Sequence, residues 1–365
     1  MAYRSRAVIR LPRSAQCANI VPALQPSNRL PFERTPPPRP LRNAVRSCLR
    51  VLLILTAAYL LWHWVDWRRV WAALSSMSPL ALLIAVALAS ADRVLMGFKW
   101  RQLVHAAGAS LRLRDASSIY YQTCFTDLVF PNVVASEGLR VYLGRALGIP
   151  LALLLGSMAI ERMVAAAVAI GFAAAGLLYL AAAVEPQMRQ IFLEIIGGTA
   201  AVAALGVLAI WWTPVHRIAG RAVRERISPR VFHLLKRISA ALVAYRAQPR
   251  ALAINLVLAI AENLLQIVNF YVIGRALGIR VPVLPFFAAI AVTALVRRLA
   301  MHVEGRGLGE GAAVVMFALL GVQKDAAVAL TFAHYALWLL ASLPGAYLLL
   351  RSGVTLEDVT ASATA

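Results

Sequence analysis

Apolar positions along this chain fall into runs of two lengths, separated by short polar breaks. Runs at 79–104, 151–184, 191–212, 251–273 and 326–350 suit helices that cross a hydrocarbon core, which takes about 20 apolar residues at about 1.5 Å each. A further span is expected at 51–65, with Trp62, Trp64 and Trp67 as an interfacial belt at its far end. The other runs, 116–131, 138–148, 283–300 and 308–322, are too short for a comfortable crossing. They come as two pairs, each folded about a polar turn, at 132–137 and 302–309.

This order of elements occurs twice. Sliding the second half over the first lays Asp92 on Glu262, Gly108 on Gly278 and Asp127 on Arg297; after a small gap, Glu137 falls on Glu310 and Gly148 on Gly321. A separate exact match, Gly-Arg-Ala-Leu-Gly-Ile at 144–149 and 274–279, sits at non-equivalent places and is expected to be a coincidence of composition. Arginine-rich segments mark the cytoplasmic side, which puts both the N-terminal arm and a basic 214–250 segment there. If each short pair is a re-entrant hairpin, four spans separate those two segments, and the two halves enter the membrane from opposite sides. The expected fold is all-α: a polytopic membrane helical bundle with two inverted-topology repeats, each containing a re-entrant helical hairpin. Its divisions are a 1–48 arm, a transmembrane domain over 49–350 and a 351–365 tail. Within that domain, repeat one covers about 78–185 and repeat two about 250–350.

Composition supports a membrane protein. Of 365 residues, 61% are hydrophobic and only 15% charged, with a mean hydropathy of +0.72. That excludes an ordinary soluble enzyme and a disordered chain. The formal charge of +21 comes from 37 Lys and Arg against 16 Asp and Glu. Its arginines lie beside apolar runs, which points to anionic lipid headgroups and not to nucleic acid. Cys17, Cys48 and Cys124 are far apart and the six histidines form no metal motif, so no cofactor, zinc site or disulfide framework is expected. Residues 1–48 are rich in Pro and Arg and lack an apolar core. They read as a disordered cytoplasmic arm or an over-long start, with no signal peptide. The 214–250 segment has apolar residues at the spacing of interfacial helices, broken at Pro229; a plain cytoplasmic loop is the other reading.

Charges inside the apolar runs are the candidate chemistry, because each costs about 2.5–3.5 kcal/mol to insert. Asp92-Arg93, Glu161-Arg162 and Glu262-Asn263 lie mid-span. Glu262, Gln266 and Asn269 share one helical face, as do Glu137 and Arg140. Arg297-Arg298, Glu304, Arg306 and Glu310 surround the second turn. Either these residues pair as glue between helices, or they line a polar cavity in which guanidinium groups grip an anionic headgroup. The candidate cavity-lining residues are Arg93, Asp127, Glu137, Arg140, Glu161, Arg162, Glu262, Arg297 and Glu310; none is assigned a catalytic role.

Several of these residues also carry a family pattern. Asp92-Arg93, Lys99-Trp100-Arg101, Phe130-Pro131, Ser136-Glu137-Gly138-Leu139-Arg140 and Ile160-Glu161-Arg162, followed by Gly305-Arg306-Gly307-Leu308-Gly309-Glu310, resemble the flippase-like transmembrane family. Its best known members form the membrane half of lysylphosphatidylglycerol synthases. The resemblance covers about 50–350. Ser136 replaces a family Gly, Met301 stands where Pro is usual, and Glu310 directly follows Gly309. The resemblance implies movement of a phospholipid or lipid-linked headgroup between leaflets. Aminoacyl transfer belongs to a soluble domain of the synthases for which the chain, ending at Ala365, is expected to have no room, so no enzyme activity is expected. The implied partners are membrane lipids with anionic headgroups, with a homo-oligomer as a further expectation, and the implied location is the inner membrane. The alternatives are a non-transporting accessory protein of a lipid-modifying complex, or a membrane enzyme, which would need an acidic cluster of the D-D-x-x-D type that is absent.

Overall fold

The computed structural model describes residues 67–129, 133–181, 185–211, 243–301 and 306–352. The arm at 1–48, the span at 51–65, most of the 214–250 segment, Glu304 and nearly all of the 351–365 tail lie outside the described residues. All regular structure described is helical: α1 Trp67–Ser75, α2 Pro79–Ala106, α3 Leu113–Val129, α4 Val133–Ala146, α5 Leu151–Leu180, α6 Pro186–Trp211, a 3-10 turn Tyr245–Ala247, α7 Pro249–Ala276, α8 Val283–Met301, α9 Arg306–Ala318 and α10 Lys324–Ser352.

Among the described residues, four helices are long and apolar enough to cross a membrane: α2, α5, α7 and α10. At 28 residues, α2 is about 42 Å long, more than a hydrocarbon core of about 30 Å. Helices α3, α4, α8 and α9 have 17, 14, 19 and 13 residues, or roughly 20–29 Å, and fall short of it. Leu83, Leu178, Leu205, Val257 and Leu340 point outward, as lipid-facing side chains do. The polar turns are shorter than expected. Helix α4 already begins at Val133 and α9 at Arg306, so Ser136 and Glu137 are helical.

Four helices end alike. Gly108, Gly148, Gly278 and Gly321 have φ of 89°, 82°, 80° and 75°. After each, an amide reaches back to the carbonyl five residues earlier: Ala109 to Val104, Ile149 to Gly144, Ile279 to Gly274 and Val322 to Phe317. This is the Schellman stop, which glycine makes without a steric penalty. Both copies of the hexapeptide are such stops, and the unlike sequences around Gly108 and Gly321 make the same one. A Cβ on Gly144 would lie 2.6 Å from Leu154 Cδ2, and one on Gly274 2.7 Å from Phe286 Cε2. The same six residues end a helix and let the next one fold back closely.

The two halves interleave. Helix α2 packs along α7, α3 packs on α10, and α8 packs on α5. At the last two crossings a glycine meets a backbone carbonyl: a Cβ on Gly345 would come 2.0 Å from Tyr121 O, and one on Gly176 2.6 Å from Ala288 O. Small residues of this kind let membrane helices approach closely where water supplies no driving force. Trp100, Val104, Ile119, Tyr120 and Leu154 fill a core in the first half. Ile267, Phe270, Phe286, Phe317 and Leu330 fill one in the second, and Ala85 of α2 joins them. The Tyr245 hydroxyl donates to Leu103 O at 2.9 Å, tying the start of the second half to α2.

Candidate functional site

Helices α2, α3, α4, α5 and α7 each bring a polar side chain to one buried network centred on Glu161 of α5. Tyr120 of α3 donates its hydroxyl to Glu161 Oε1 at 2.6 Å, and Arg140 of α4 donates to Oε2. Lys99 of α2 stands with Nζ 3.5 Å from Glu161 Oε1 and donates to Glu262 of α7. Two cations and two carboxylates, each at most 5% exposed in its side chain, therefore balance in the interior. The balance matters, since an unpaired charge there would carry a desolvation cost of several kcal/mol.

Aromatic rings complete the setting. The Arg140 guanidinium lies 4.3 Å above the Trp100 ring centre and 4.7 Å from that of Tyr120, where ring quadrupoles favour a cation. Trp100 Nε1 donates to Ser157 Oγ at 3.0 Å, which locks the indole beneath Arg140. At the edge of the network, Arg162 donates to Glu137, with Nε at 2.9 Å from Oε1. Glu137 Oε2 is 3.9 Å from Arg140 Nη1. The Arg162 side chain is 58% exposed, so this pair is the rim where the network meets its surroundings. Asp127 of α3 hydrogen-bonds Ser136 and lies near Glu137, Arg140 and Arg162.

Arg93 belongs to another cluster. Its guanidinium donates to Ala89 O at 2.8 Å, to Ser342 Oγ at 3.0 Å and to Trp338 O at 3.4 Å, and it lies 4.5 Å over the Trp338 ring. Arg297 lies over Phe270 at 5.1 Å, and Phe270 stacks on His334 at 3.6 Å. Arg298 donates to Asn263 Oδ1 and Ala165 O, both at 3.2 Å. A small recess lined by Asn263, Gln266, Phe270 and Arg297 lies here. Of the face predicted on α7, Glu262 binds Lys99, Gln266 lines the recess, and Asn269 donates to Ala85 O of α2 at 3.0 Å. Glu310 lies on α9, and its side chain is outside the described residues.

The structure thus gathers Glu137, Arg140, Glu161, Arg162 and Glu262 around one network, with Asp127 beside it, and sets Arg93 and Arg297 apart. Sequence reasoning left Lys99, Trp100, Tyr120 and Ser157 out of the site. The span expected at 79–104 ends in Lys99 and Arg101. Helix α2 continues to Ala106, which leaves Lys99 inside the bundle. The available signal was its spacing of seven from Asp92, which places both on one face.

These features define an integral membrane protein of α-helices with ion pairs buried between its spans. Residues 48–345 match the family model described as the lysylphosphatidylglycerol synthase TM region, and the chain belongs to that family. No curated protein and no solved structure matches the chain.

Proposed function

We propose that the protein is a lipid flippase or transporter that moves a phospholipid or lipid-linked headgroup between leaflets and performs no group transfer itself. The observation that carries this reading is the buried Lys99–Glu262 and Arg140–Glu161 pairing, which links the two halves of the chain. A bundle needing only stability does better with small-residue packing than with buried ions. Broken helices and paired charges at mid-depth are what transporters use to bind a polar group and alternate its access. The rim pair gives an anionic headgroup a way in, since a phosphate competes with Glu137 for the forked donors of Arg162.

The two halves are read as inverted repeats, and α3–α4 and α8–α9 as re-entrant hairpins. Two things support this: the matching left-handed glycines and the reciprocal packing of α3 on α10 and α8 on α5. Re-entrant backbone is stable only where protein or a polar cavity surrounds it. The proposed setting is the inner membrane, with the N-terminal arm and the 214–250 segment cytoplasmic, where positive charge favours anionic lipid.

The test is reconstitution into liposomes carrying NBD-labelled phosphatidylglycerol, with dithionite reporting probe that reaches the outer leaflet. Wild type should expose inner-leaflet probe, and Glu161→Gln should slow that exposure. Failure to move any probe from a panel of labelled lipids, with no lipid retained through gentle purification, would sink the reading.

A further inference from the structure

Asp92 of α2 is a buried acid that the network around Glu161 leaves out. It is 2% exposed, on the face of α2 that packs against α7. Neither of its carboxylate oxygens has a partner that meets strict hydrogen-bond geometry; the Gln266 amide of α7 stands beside it as an uncharged donor within reach. Arg93 Nη1 lies 3.6 Å from Asp92 Oδ2, but the guanidinium donates its hydrogens to Ala89, Ser342 and Trp338. Lys99, about two turns further along the same face, is taken by Glu262. From α7, Glu262 and Gln266 face Asp92, and Cys124 faces it from α3. Helix α10 brings His334, Ser342 and Trp338 to Arg93, and α5 brings Glu161 to Lys99.

A carboxylate buried without hydrogen bonds costs more than it gains from a neighbour already committed elsewhere. Neutralisation by a proton removes that cost. A metal cation fits poorly: Arg93 is adjacent, Lys99 is close, and no group of three ligating side chains occurs among the described residues. A proton needs only one lone pair.

We propose that Asp92 is a proton-binding site and that its protonation is coupled to lipid movement; the coupling rests on the transport reading above, the site does not. With the proton bound, the Asp92 O–H is neutral and Lys99 stays with Glu262. When the O–H bond breaks, the proton passes to water and the pair of electrons stays on Asp92. The new carboxylate then competes with Glu262 for Lys99. Lys99 is thus shared between two acids at matching places in the two halves, and protonation of Asp92 decides which half holds it.

Two measurements on the full chain separate the site from the coupling. In nanodiscs, infrared spectra of wild type should show the carbonyl stretch of a protonated carboxyl, missing in Asp92→Asn and displaced in Asp92→Glu. An identical band in wild type and Asp92→Asn overturns the site whatever the transport result. In proteoliposomes with NBD-phosphatidylglycerol, a gradient of one pH unit should shift the steady-state distribution of probe about tenfold for one proton per lipid, and Asp92→Asn should remove that shift. Wild-type movement that ignores the pH gradient, or follows a sodium gradient instead, overturns the coupling. A wild type that moves no probe but keeps the Asp92 band counts against lipid transport and for the proton site.

Discussion

Lys99 and Glu262 are 163 residues apart in sequence and hydrogen-bonded in the interior. Their pairing joins α2 to α7, the helices that run alongside one another between the two halves. Loss of either partner strands the other. Lys99→Met and Glu262→Met should each destabilise by about 3–5 kcal/mol, whereas the two together should recover most of the loss. Thermal unfolding of the four proteins in one detergent gives the coupling directly, and additive losses would mean that the pair does not act as a unit.

The two arginine–glutamate pairs should differ in strength. Arg140–Glu161 is buried, while Arg162–Glu137 has a side chain that is 58% exposed. Arg140→Ala should cost about 3–5 kcal/mol, and Arg162→Ala no more than about 1 kcal/mol. Raising salt should weaken the contribution of Arg162 and leave that of Arg140 nearly unchanged. Equal losses and equal salt responses would contradict the division into interior and rim.

The close crossings should reject any side chain. Gly345→Ala puts a Cβ against Tyr121 O, and Gly176→Ala puts one against Ala288 O. Each should destabilise by about 1–3 kcal/mol, the usual cost of overpacking. Gly197→Ala, which meets nothing within 4 Å, is the control. Melting temperatures lowered only in the first two would support the crossings as drawn.

The shared helix stop should be costly to alter. Gly278 has φ of 80° with open space around it, so Gly278→Ala tests backbone conformation alone. A loss of about 1–2 kcal/mol is expected, and Gly278→Asn, which tolerates this region better, should lose less. A fully neutral Gly278→Ala would show that the left-handed turn is not required.

Much of this architecture was legible because run length and glycine position are local signals. The spans at 79–104, 151–184, 251–273 and 326–350 fall on the four long helices, and the register that paired Gly108 with Gly278 and Gly148 with Gly321 coincides with the left-handed turns. The two hexapeptides end non-equivalent helices in the same way, as the unrelated sequences at Gly108 and Gly321 also do. What run length does not encode is which charges meet. Lys99 finds Glu262 only through the α2–α7 crossing, and Arg93 finds Ser342 and Trp338 only because α10 returns beside α2. Such partners lie far along the chain, and helical periodicity within either segment carries no trace of them.

The exchange of helices between halves also constrains how the chain is made. Helix α3 gains one of its two principal partners, α10, only when residues 324–352 have been synthesised. Until then the Tyr121 backbone against which Gly345 packs, and Leu128 O, which accepts from Tyr335, have no α10 to meet. The completed fold is therefore a late event, dominated by contacts of high sequence separation, which are slow to form. A nascent chain stalled after α6 should be held by the insertion machinery or degraded rather than released as a stable half.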